Sequence, residues 1–165
     1  MTGQGVGGPG GGRSSNVDAL EVDAGITAFS TLGDIRYSDA HLLRTDRVAD
    51  RSAEQWARAI LEEVPGDVRA GLERAWGSIG LQRSAFGADR SVAGWPIAYS
   101  CPEYVLLQAV SSYGFDGQLL FRCGESGVLV ATFVQFREDG ARAFWERAVA
   151  GHLRFVRSLL EARAG

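Results

Sequence analysis

The C-terminal segment, residues 139–163, is the longest uninterrupted helical pattern in the chain, and it constrains the fold more than any other feature. The apolar residues recur at three- and four-residue steps, which indicates one broad apolar helix face: Phe144, Trp145, Ala148, Val149, Phe155, Val156, Leu159 and Leu160. His152 lies among these apolar residues, and the opposite face of the helix is rich in arginine and glutamate. Such a helix must pack on an apolar surface, and the strand-rich segment before it offers one.

The preceding segments predict one strand, two short helices and a series of strands. Residues 35–45 have the pattern of a first full strand. Ser52 and Gln55 form a capping-box signature that predicts a helix over residues 53–63, and Asp67 is the expected cap of a second helix after the Pro65-Gly66 break. Short β-type runs separated by turn residues follow, and they predict consecutive antiparallel hairpins over residues 81–86, 95–100, 104–111, 118–123 and 128–137.

This order predicts an α+β fold in which a curved antiparallel sheet wraps around a long C-terminal helix, with two short helices after the first strand. Residues 1–16 are mostly glycine and predict a disordered tail, because they offer too little apolar surface to offset the entropy of ordering. Residues 17–33 are expected to form an N-terminal arm or a short strand. The domain itself is expected to span residues 34–165.

Composition excludes several classes of function. The chain has 165 residues and a net charge of −3, which disfavours binding to nucleic acid. All 17 basic residues are arginine, so lysine Schiff-base chemistry and the lysine of a phosphate-binding loop are excluded. We see neither an apolar run of membrane-spanning length nor a secretory signal, and we expect a cytoplasmic protein. In that compartment Cys101 and Cys123 are expected to be free thiols.

Several short motifs occur in a characteristic order. They are Tyr37-Ser38-Asp39-Ala40, Trp56-Ala57-Arg58-Ala59, Ile79-Gly80-Leu81, and Trp145 followed seven residues later by His152. In this order the chain resembles the DUF2867 branch of the START and Bet v 1-like (SRPBCC) superfamily over about residues 35–164. One departure is Ala150, where that branch has a proline.

The resemblance implies a helix-grip fold with an apolar cavity between the sheet and the C-terminal helix. Members of the wider superfamily bind lipids, hormones and polyketides, and some act as cyclases or aromatases. The resemblance thus implies a hydrophobic ligand, polyketide-like or lipid-like, and no cofactor. It does not assign a reaction to this chain.

His152 is the candidate catalytic residue. It lies two helical turns from Trp145, so both side chains are expected to point toward the cavity or its floor. One interpretation is a buried histidine that is hydrogen-bonded to a strand. The other is a general acid or base, or a ligand-binding group, because imidazole titrates near neutral pH.

The other candidate residues are expected to bind ligand. Thr132 shares the apolar parity of the last predicted strand, although threonine is also an ordinary sheet residue. Tyr99 and Glu103 flank the Cys101-Pro102 turn, where a carboxylate is more often solvated. The complete predicted set is Trp145, Thr132, Tyr99, Glu103 and His41.

No metal site is expected, because the chain has two histidines and no close ligand spacing. Three functions remain open from the sequence: binding of a hydrophobic small molecule, a cyclase- or dehydratase-type reaction, and a structural or partner-binding module whose cavity is filled by its own side chains. A homodimer is a further hypothesis, based only on the abundance of two-fold assemblies.

Overall fold

The structure is a computed structural model that describes residues 16–164, so the predicted tail lies outside the described residues except for Asn16. A 3-10 turn covers Val48–Asp50. In chain order the elements are β1 (Val17–Leu20), α1 (Ala24–Thr27), β2 (Tyr37–Arg44), α2 (Ala53–Leu61), α3 (Gly66–Ser78), β3 (Ser91–Val92), β4 (Trp95–Ser100), β5 (Tyr104–Val110), β6 (Phe115–Cys123), β7 (Gly127–Phe136) and α4 (Asp139–Ala164).

The strands form one seven-stranded antiparallel sheet in the order β1-β2-β7-β6-β5-β4-β3. Strands β4 to β7 follow one another as hairpins, as predicted, while β2 joins the sheet by pairing with β7. The 26-residue helix α4 packs against the concave side of the sheet together with α2. This is the helix-grip arrangement, and the predicted fold class is confirmed.

The predicted start of α2 is confirmed, and the predicted start of α3 is partly wrong. Ser52 caps α2 by accepting a hydrogen bond from the Gln55 amide, and the Gln55 side chain accepts one from the Ser52 amide, which completes the capping box. Helix α3 begins earlier than predicted, at Gly66 after Pro65. Asp67 therefore lies inside the first turn, where its charge suits the helix dipole, and it caps nothing.

The strand predicted over residues 81–86 is wrong. Only Leu81 pairs with the sheet, through a single bridge to Ser111. The rest of the segment is held by other contacts: the Arg83 guanidinium donates to the Ala93 carbonyl, and the Ser84 amide donates to the Gly94 carbonyl. Gly94 has φ +80°, and a Cβ there would collide with the Ser84 carbonyl oxygen, so this close approach requires glycine.

The two faces of the sheet are covered differently. The concave face carries Leu43, Leu107 and Phe121, which pack with α2 and α4. The outer face carries a second apolar cluster in which Leu106, Leu120 and Phe133 lie under residues 22–35. Residues 17–33 thus include both a strand, β1, and an arm that crosses the back of the sheet.

A buried glutamine fastens this arm. The Gln118 side chain accepts a hydrogen bond from the Ser30 hydroxyl at 2.7 Å. Its amide nitrogen donates to the Thr31 hydroxyl and to the Gln108 side chain, at 2.7 and 2.8 Å. Because Gln118 is fully buried, these bonds satisfy polar atoms that would otherwise be costly on an apolar face.

Cys101 and Cys123 are free thiols, as predicted. Burial is the main cause that raises the pKa of the Cys123 thiol, and the neighbouring Glu103 adds to it. A raised pKa keeps Cys123 protonated and unreactive near neutral pH.

Within residues 16–164, none of the helices combines the length and the apolarity needed to cross a lipid bilayer.

Candidate functional site

A cavity of about 370 Å³ lies between the concave face of the sheet and the three longer helices. Leu119, Phe121 and Val130 form its sheet wall. Helix α4 contributes Trp145 and His152 to the opposite wall, and the lining is mostly apolar. This space is open and is not filled by the protein's own side chains.

Two aromatic side chains of α4 meet β2 at the end of the cavity. The rings of Trp145 and His152 are 5.3 Å apart, and the Trp145 ring is 5.1 Å from that of Tyr37. Trp145 is buried, with 4% of its surface exposed. The predicted placement of Trp145 and His152 on one inward face of the helix is what the structure shows.

Asp39 connects the strand to the helix. Its Oδ2 atom accepts a hydrogen bond from the Tyr37 hydroxyl at 2.7 Å and lies 2.9 Å from Nε2 of His152. Asp39 faces the helix because strand parity places it on the same side of β2 as Tyr37 and His41. The three groups form a half-buried Tyr37–Asp39–His152 cluster.

The electrostatics of Asp39 set the tautomer of His152. Burial alone would raise the pKa of Asp39, but the hydrogen bond and the charge of His152, together with the Tyr37 hydroxyl, outweigh it and hold the pKa below its ordinary value. Asp39 is thus an ionised acceptor, so Nε2 of His152 must carry the hydrogen. In a neutral His152 the lone pair is then on Nδ1.

Several buried polar atoms around the cluster have no hydrogen-bond partner within residues 16–164. Four of them belong to adjacent residues of this region: Asp39 Oδ1, His41 Nδ1, Thr132 Oγ1 and Trp145 Nε1. An unsatisfied buried polar atom costs about 1–3 kcal/mol, so their concentration in one place is unfavourable for stability. Such a concentration is typical of a functional site.

The structure brings some of the predicted ligand-binding residues to this region but not into the cavity wall. Thr132 lies opposite Asp39 in the sheet, on the helix-facing side, as its parity predicted. His41 is buried beside Asp39, with Nδ1 at 3.8 Å from Oδ1. Neither residue lines the cavity, whereas Trp145 and His152 do.

Tyr99 and Glu103 are not part of the candidate site. Tyr99 is 51% exposed and stacks on Tyr104 on the outer side of the sheet. The register of β4 and β5 shifts between Ile97 and Tyr99, which changes the face that later residues of β4 occupy. Glu103 is exposed in the turn that joins the two strands, as the solvated interpretation expects.

Sequence reasoning missed Tyr37 and Asp39 as site residues. The available signal was parity, because Tyr37, Asp39, His41 and Leu43 alternate along one strand and Leu43 belongs to the core. A carboxylate on the inward face of a strand requires a partner, since an isolated buried charge is costly. The inward face of the C-terminal helix offered His152 as that partner.

Within residues 16–164, no three side chains among His, Cys, Asp and Glu come together in a set that could hold an ion. His41 and His152 flank the Asp39 carboxylate, but these three side chains do not form such a set. The hydrogen-bonded imidazole and carboxylate are groups that can transfer protons.

The buried His41 predicts a pH-dependent stability. Burial lowers the pKa of His41 below the ordinary histidine value of 6.5, and the Asp39 carboxylate opposes this only in part. His41 is therefore neutral in the folded protein, despite its position near Asp39. Because the unfolded chain binds the proton first, the free energy of unfolding should fall as the pH decreases below about 6.5.

Urea unfolding between about pH 7.5 and about pH 5.5 measures this dependence. The His41→Asn variant should lose the part of the slope that His41 contributes. The Asp39 carboxylate contributes in a separate pH window. Because folding lowers its pKa, the stabilisation that it provides is lost only at pH values below about 4. An identical slope in the wild type and the variant would show that His41 does not titrate as inferred.

We compared the chain with known proteins. No family model matches it, and no curated protein is similar to it. Among solved structures, it is similar to the crystal structure of CalU16 from Micromonospora echinospora, with 13% identity over 90% of each chain and a TM-score of 0.34. A similarity at this TM-score does not indicate a function.

Proposed function

We propose that the protein binds a hydrophobic small molecule in the cavity between the sheet and α4. The cavity itself is the observation that carries the proposal. Its volume of about 370 Å³ falls within the range of small-molecule sites, and most of its lining is apolar. An open apolar space of this size in a core destabilises a protein, so its presence supports a role that requires the space.

The polar groups of the cavity fit a ligand that also makes a few directed hydrogen bonds. Nδ1 of His152 forms no hydrogen bond within residues 16–164 and is not fully buried. A polar group in an apolar cavity orients a ligand, and this nitrogen suits a polyketide-like or lipid-like metabolite that carries a hydroxyl or another polar group.

The proposal extends to the family. The motifs that resemble the DUF2867 branch contain the four residues that meet at the end of the cavity: Tyr37, Asp39, Trp145 and His152. A site that these residues share would explain why the motifs occur together in one chain. A cytoplasmic location is part of the same proposal.

Filling the cavity tests the binding function. Ala75 of α3 lines the cavity, and Ala75→Phe places a phenyl ring in this space. The neutral fluorescent probe phenylnaphthylamine should bind the wild type and lose affinity about tenfold or more in the variant, because ring and probe compete for one volume. Fluorescence titration measures both affinities.

Ala143→Phe is the matched control, because Ala143 is exposed on α4 and does not line the cavity. This variant should bind the probe like the wild type. Equal losses in the two variants would mean that the probe binds elsewhere. Absence of binding to the wild type would contradict the proposal.

A second candidate function is general acid–base catalysis, and the Asp39–His152 hydrogen bond favours it. A carboxylate that holds one imidazole nitrogen leaves the other free to accept a proton, as in other histidine-dependent enzymes. His152 lines an apolar cavity, where a substrate would meet this nitrogen away from bulk water. A cyclase- or dehydratase-type reaction, in which a base removes a proton from carbon, would use it.

A further inference from the structure

The mouth of the cavity lies between α3 and α4 and carries two arginines. Arg147 and Arg154 line the cavity and are exposed to solvent. They are seven residues apart, two turns along the same side of the helix. Neither Asp nor Glu lines the cavity within the described part of the chain, so Arg147, Arg154 and His152 are the ionisable groups of its wall.

Among residues 16–164, these two arginines differ from Arg157 and Arg163 of the same helix in having no ion-pair partner. Arg157 pairs with Glu161 at 2.9 Å and Arg163 with Glu63 at 3.3 Å. Arg147 and Arg154 form neither an ion pair nor a hydrogen bond with any residue between 16 and 164. Two unpaired cations on one side of a cavity attract an anion.

A glycine lies between the two arginines on the same helix. Gly151 lies inside α4, where glycine is less stable than alanine. Packing does not require it, because a Cβ at this position would meet only Nη2 of Arg154, at 4.0 Å. With Ala150 it forms a patch of small exposed residues beside the guanidinium groups, which leaves room for a group entering from solvent.

We propose that the ligand carries an anionic group on its apolar body, and that Arg147 and Arg154 bind this group at the mouth of the cavity. The inference rests on the proposed binding function and names the class of ligand. Guanidinium groups suit carboxylate, sulfonate and phosphate oxygens because they present planar pairs of N–H donors. The apolar body then lies toward Trp145 and His152, and the charge stays near water.

Two probes with the same aromatic body test this proposal. Anilinonaphthalene sulfonate carries an anionic group, while phenylnaphthylamine lacks it. Arg147→Gln and Arg154→Gln should each weaken sulfonate binding by about threefold, and the double variant by about tenfold, as expected for exposed charge contacts. Binding of the neutral probe should be unchanged, and added salt should weaken sulfonate binding to the wild type more than to the double variant.

Arg142→Gln is the control, because it removes the same charge from α4 at a residue outside the cavity lining. Sulfonate affinity that falls equally in this variant would mean a general charge effect and would overturn the inference. So would an unchanged ratio of the two affinities in the double variant, with the binding function left intact. If neither probe binds the wild type, the binding function itself fails, and the inference fails with it.

Discussion

Replacing Trp145 by Ala should lower the free energy of unfolding by about 3–5 kcal/mol, the usual cost of truncating a core aromatic residue. The indole is buried and touches the rings of Tyr37 and Phe115, at 5.1 and 5.5 Å. Removing it would enlarge the cavity and separate α4 from β2. Urea unfolding monitored by circular dichroism measures the loss.

Trp76→Ala is the matched control. Trp76 is half-buried on α3 and packs on Trp95 at 5.9 Å, so its truncation should cost less. His152→Ala should also cost less than Trp145→Ala, because part of the imidazole faces the cavity. If Trp145→Ala left the midpoint unchanged while His152→Ala unfolded the protein, the role assigned to Trp145 would be wrong.

The second large effect concerns proton transfer. A nitrobenzisoxazole is a compact apolar substrate: when a base removes its carbon-bound proton, the ring N–O bond breaks and a coloured cyanophenolate forms. If His152 is a general base, the wild type should accelerate this reaction, and His152→Gln should lose about 10²-fold in rate, the lower range for general-base catalysis. Asp39→Asn should also reduce the rate, because it no longer fixes the tautomer of His152.

The chain offers a matched control in its other histidine. His41→Asn alters a buried residue outside the cavity lining and should retain the activity. Binding of phenylnaphthylamine by each variant verifies that the cavity is intact. A rate that is equal in the wild type and His152→Gln would exclude the catalytic role and leave the binding function as proposed.

The parts of the fold that were predictable from sequence have strong local causes. The capping box at Ser52 fixes a helix start through bonds within four residues. The apolar face of α4 follows from the helical period of 3.6 residues, and the alternation along β7 follows from the strand period of two residues. Packing preserves both patterns. The strand prediction for residues 81–86 failed because the apolar content of this segment resembles that of a strand. Within residues 16–164, no strand pairs with the segment beyond Leu81.

The site was harder to predict than the fold. Trp145 and His152 were accessible because both lie on one helix, where spacing alone defines a common face. Asp39 was not singled out, because its role depends on a contact with His152 across 113 positions of the chain. Tyr99 was misplaced by a register shift, a tertiary feature that leaves no clear trace in a single sequence.

The pairing of β2 with β7 has a consequence for how the chain folds during synthesis. Tyr37 pairs with Val134 and Arg44 with Gly127, so the first two strands have no sheet to join until the last strand has left the ribosome. Until then β6 has an open edge, and its apolar residues are exposed. Such long-range pairing slows folding, so a nascent chain halted before β7 would be prone to aggregate.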